Sequence, residues 1–77
     1  MLTGEQIRAA RALLRWEQKD LAQASGVSEQ TVIRLEKMVG QVSGQIGTVQ
    51  AIKDALETGG VAFISENGGG PGVRLRR

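Results

Sequence analysis

The sequence predicts a mainly α-helical fold of four short helices followed by a C-terminal β-hairpin. Three observations carry that expectation. Apolar residues recur at helical spacing as far as Thr58, two of the helical stretches are separated only by a tight turn at Gly26, and beyond Gly60 the pattern shortens to that of strands.

Helix 1 is expected from about Thr3 to Arg15, with Thr3 as its N-cap. Ile7, Ala10 and Leu14 fall on one side of it and Arg8, Arg11 and Arg15 on another, which makes the segment amphipathic with a basic flank. Trp16, the only tryptophan, lies between helices 1 and 2 and reads as a plug for the core. Helix 2 is expected from about Gln18 to Ala24. Helix 3 should start after Ser28, whose hydroxyl can cap the first turn, and run to about Met38.

From Val39 to Gly47, glycines among polar residues predict a loop with no strong element of its own. Helix 4 is expected from about Thr48 to Thr58: Val49, Ile52 and Leu56 share a face, Lys53 and Glu57 are spaced for an i,i+4 pair, and Gly59-Gly60 ends it. Val61–Ile64 and Val73–Arg76 then read as the two strands of a hairpin around the turn-rich segment from Ser65 to Gly72. Val73 and Leu75 should face inward, with Arg74 and Arg76 outward and Arg77 beyond them. A two-stranded hairpin is marginal alone in water, so it must lie on the helical core or pair its edge with another chain, and the second option implies a dimer. The glycine-rich turn is a poor phosphate cradle, because a strand follows it where a helix N-terminus would be needed.

The stretch from Gln18 to Lys37 is the most informative. Ala22 is small where a second helix must approach the first, Gly26 suits a turn with positive φ, and Leu21, Val27, Val32 and Leu35 supply a buried side. This is the spacing of a helix-turn-helix, a unit that usually reads DNA.

Composition narrows the alternatives. The 77 residues give room for one small domain, spanning 1–77, with a helical core over 1–58 and a hairpin over 61–76. A chain of this size buries roughly 60% of the surface its unfolded form exposes, so association is an expectation. There is no cysteine and no histidine, which removes disulfides, thiolate metal sites and the commonest acid–base side chain. No nucleophile–base set or metal-ligand cluster is in view, so neither an enzyme nor a cofactor is expected. No apolar run suggests export or membrane insertion, which leaves the cytoplasm, at the nucleoid, as the default compartment. A net charge of +2 does not by itself point to a polyanion; the placement of the charges matters more.

On these residues Met1 to about Thr58 resembles the lambda-repressor-like, xenobiotic-response-element (Xre) family of bacterial and phage regulators. The resemblance rests on Gln18 opening helix 2, on Leu21-Ala22, on Gly26, on Ser28-Glu29-Gln30-Thr31 and on Arg34-Leu35-Glu36. It implies a lambda-repressor-like four-helix domain whose helix 3 enters the major groove of double-stranded DNA. It also implies that Gln18, at the positive end of helix 2, meets a backbone phosphate through its side chain or N–H groups. Glu29, Gln30 and Arg34 fall where family members place base-reading side chains. Chemically, Arg34 suits guanine O6 and N7, Gln30 suits adenine N6 and N7, and Glu29 can accept from cytosine N4. Ser28, Thr31 and Lys37 are better suited to phosphate. The resemblance further pairs Arg11 with Glu36 as a structural ion pair.

Two departures stand out. There is no arginine or lysine from Met38 to Ile52, where family members often grip the backbone, and a hairpin replaces a fifth helix. The first implies weaker monomer binding or reliance on Arg8, Arg15, Lys53 and the Arg74 to Arg77 tail. The expected function is a sequence-specific, operator-occupying transcriptional regulator, a homodimer and more commonly a repressor. The alternative is an antitoxin or adapter that binds another protein through its hairpin and DNA for autoregulation.

Overall fold

A computed structural model describes residues 2–65 and 68–76 of the chain. Four helices, α1 (Gly4–Leu14), α2 (Gln18–Ser25), α3 (Glu29–Glu36) and α4 (Ile46–Gly59), are followed by strands β1 (Val61–Ile64) and β2 (Gly72–Leu75). The expectation for Arg77 lies outside the described residues, as do Glu66 and Asn67 of the hairpin turn.

The start of α1 is set by its cap. The Thr3 hydroxyl accepts from the Gln6 N–H at 3.0 Å, and the Gln6 side-chain carbonyl accepts from the Thr3 N–H at 2.9 Å, a reciprocal capping box. Gln6 is buried, and its amide donates onward to the Gly72 carbonyl at 3.0 Å, so one side chain ties the helix start to β2. Arg15 ends α1 in the left-handed region, at φ 59°. Gly26 does the same for α2 at φ 74°, the positive φ expected at the turn. In α3 the Ser28 hydroxyl accepts from the Thr31 N–H, and the helix stops at Glu36, short of Met38. Helix α4 begins two residues before Thr48, at Ile46, and Gly60 closes it at φ 117°.

The segment from Val39 to Gly47 is better anchored than its composition suggests. The Gly4 N–H donates to the Gly40 carbonyl, the Val42 N–H donates to the Leu2 carbonyl at 2.8 Å, and Val42 is buried. Interspersed glycines hid a backbone bridge to the residues before α1, because such pairing depends on a distant partner and leaves no local period.

Ile7, Leu21, Val32, Leu35, Ile52, Leu56 and Val61 are fully buried and form the centre of the core. Trp16 packs on it from the side, as do Val27, Val49 and Leu14. The Trp16 ring lies so close to Gly59 that a Cβ there would come within 2.9 Å of it.

The strands pair antiparallel, with Val61 opposite Leu75 and Phe63 opposite Val73. Phe63, Val73 and Leu75 pack on the helical core while Arg74 and Arg76 are exposed, and the Arg76 N–H donates to the Gly60 carbonyl at 2.7 Å. The hairpin thus lies on the helical core of its own chain. Lys53 and Glu57 form no ion pair; on the exposed side of α4 it is Gln50 that donates to Asp54, at 2.8 Å.

Candidate nucleic-acid interface

Helix α3 divides its residues by angle. Val32, Leu35 and Glu36 point into the molecule, whereas Glu29, Gln30 and Arg34 are exposed. The hydrogen bonds and ion pairs among the described residues leave those three exposed side chains unused. They therefore present one acceptor group, one amide and one five-donor guanidinium to the outside.

Lys37, at the C-cap of α3, is exposed too. Ser28 and Thr31, read as suited to phosphate, are bonded to each other: their hydroxyl oxygens are 2.9 Å apart while Ser28 also caps the helix, so the pair retains a single hydroxyl proton for an outside acceptor.

Besides the buried Val32 and Leu35, Glu36 ties α3 to α1. Its carboxylate is 3% exposed and receives Arg11 in a two-pronged bond, Nε to Oε2 at 2.7 Å and Nη2 to Oε1 at 3.0 Å. Arg11 Nη1 also donates to the Trp16 carbonyl at 2.9 Å. The hydrogen bond to Glu36 raises the Arg11 pKa above its ordinary value; burial pulls the other way and the charge of Glu36 adds to the rise.

Gln18 is drawn into the same cluster: its amide donates to Glu36 Oε1 at 3.1 Å and the residue is half-buried. One of the two side-chain amide protons of Gln18 is thus committed to α3; the other, and the backbone N–H groups at the start of α2, remain as routes to an anion. Asp20 reaches back to the Glu17 N–H at 2.8 Å, so a carboxylate stands beside the backbone route. Arg8 donates to the backbone carbonyl of Glu36 at the negative end of α3. Neither link was visible in the sequence, because each joins residues far apart along the chain. The Thr3-x-x-Gln6 box, by contrast, was there to be read.

Two short helices crossing through a left-handed glycine, the second tied by an ion pair to a buried carboxylate and presenting a polar outer face, define a helix-turn-helix domain. Residues 7–57 match the Xre, lambda-repressor-like helix-turn-helix family, and the chain belongs to it. That family comprises DNA-binding regulatory domains. A comparison with curated proteins returns no match. No helix among the described residues is long and apolar enough to cross a membrane.

Proposed function

We propose that the protein is a sequence-specific transcriptional regulator that occupies an operator with α3 in the major groove, acting as a homodimer and a repressor. The observation that carries this reading is the outer face of α3, where Glu29, Gln30 and Arg34 are exposed and without hydrogen-bond or ion-pair partners among the described residues. In this reading they contact base edges. Lys37, the Ser28–Thr31 hydroxyl pair and the first turn of α2 at Gln18 meet phosphates.

Selection of bound duplexes from a random pool at two salt concentrations tests it. A twofold-symmetric motif is the expected result; binding without enrichment that collapses as salt rises would defeat the reading and favour a protein-binding adapter. Arg34→Ala is expected to lose about 1–3 kcal/mol of discrimination at one base position with the fold intact. A selection motif unchanged by that substitution would remove Arg34 from the readout.

Dimerisation is assigned to the hairpin, whose outward side carries Ile64, 41% exposed. Truncation is a poor test of this, because Val61 is part of the core. Ile64→Lys keeps the inward side and puts a charge on the outward one. Sedimentation is expected to show a dimer for the parent chain and a shift toward monomer for the variant; an unshifted dimer would place the interface elsewhere.

A further inference from the structure

We infer that Ile33 reads the C5-methyl group of a thymine, which makes it an apolar specificity determinant among the polar ones; the inference rests on the operator-reading function proposed above.

Helix α3 contains three aliphatic residues, of which Val32 and Leu35 are buried in the core. Ile33 is the exception. It is half-buried, and it belongs neither to the core nor to the partly buried apolar side chains packed against it. A single apolar side chain at a surface is ordinary, so exposure alone carries nothing. What singles out Ile33 is its place. It lies one turn after Glu29 and Gln30 and one turn before Lys37, beside Arg34.

The chemistry of the major groove gives that place a use. Each base pair shows donors and acceptors there, and thymine alone adds a methyl group. Arg34 suits guanine, Gln30 adenine and Glu29 cytosine, and none of these side chains offers an apolar contact to thymine. Ile33 supplies it. Its branched Cβ restricts χ1 to essentially one rotamer in a helix, so its methyl groups are positioned before DNA arrives. The contact would also remove from water an apolar surface that the fold leaves partly open.

The test replaces thymines by uracil, which lacks only the methyl group, one position at a time in the selected duplex. With the parent chain, one thymine in each half-site is expected to show about a fourfold loss of affinity on replacement, the size of one methyl group withdrawn from an apolar contact. With Ile33→Ser, thymine and uracil at that position should bind alike. Each ratio compares two duplexes against one protein, so any loss of folded fraction cancels. A motif with no uracil-sensitive thymine, or a sensitivity that survives Ile33→Ser, would overturn the role of Ile33 while leaving operator reading intact. A pool that yields no motif would overturn operator reading, and this inference with it.

Discussion

Arg11→Ala is expected to cost about 3–5 kcal/mol of folding stability, because it strands the Glu36 carboxylate inside the protein. That carboxylate is 3% exposed on its side chain, and without Arg11 it keeps only the Gln18 amide at 3.1 Å. The Trp16 carbonyl loses its donor in the same step. Set against the roughly 5–15 kcal/mol typical of whole domains, such a loss leaves much of a chain this small unfolded. Chemical denaturation measures it directly. A cost below about 1 kcal/mol would mean that the pair is screened like a surface ion pair.

The double variant Arg11→Met/Glu36→Met should recover much of the loss, since no buried charge is left unpaired, although the Trp16 carbonyl and the Gln18 amide still lose their partners. The raised pKa of Arg11 has a defined consequence for pH. Stability from a group whose folded-state pKa is raised is present below its unfolded value and fades only as pH climbs past it, so the Arg11 contribution holds through the neutral range. Because Glu36 also fixes α3, lost DNA binding in Arg11→Ala would reflect lost structure.

Gly4→Ala is the second large effect, and its sign runs against helix propensity. Alanine in place of glycine inside a helix ordinarily helps by about 1 kcal/mol. At Gly4, however, a Cβ would lie 2.6 Å from the Met38 carbonyl oxygen, 2.9 Å from that of Leu35 and 3.1 Å from that of Glu36. These are backbone atoms at the end of α3, so relief requires α1 and α3 to separate. The net cost is expected at about 1–3 kcal/mol, the range of an overpacked core. Gly47→Ala provides the contrast. Gly47 sits in the first turn of α4 with open space around its missing Cβ and should gain stability by a few tenths to about 1 kcal/mol. Equal melting shifts at the two positions would refute the close-approach argument.

The difference between these two glycines shows what the sequence reveals and what it hides. Elements with a local period or a local cap were legible: Thr3 before α1, Gly26 between α2 and α3, and the inward Val73 and Leu75 of β2 all stand where spacing placed them. Nothing local marks Gly4 as a contact point, since its neighbours at the end of α3 are far away along the chain. The same holds for the bonds from Arg8 and Gln18 to Glu36 and from Gln6 to Gly72. Ile33 was hidden differently. The spacing left it out of the buried side formed by Leu21, Val27, Val32 and Leu35, but nothing local gave it a use, and the packing keeps it outside the core as well.

The eight residues of α3 serve two purposes at separate angles: Val32, Leu35 and Glu36 hold the helix, while Glu29, Gln30, Ile33 and Arg34 stay outside that anchoring. Substitutions on the outer side therefore carry little penalty for folding. On the operator-reading function proposed above, a lineage built on this scaffold could drift from one set of target sites to another by single changes, each intermediate still folded. The anchoring residues, shared by every such descendant, would be the last to change.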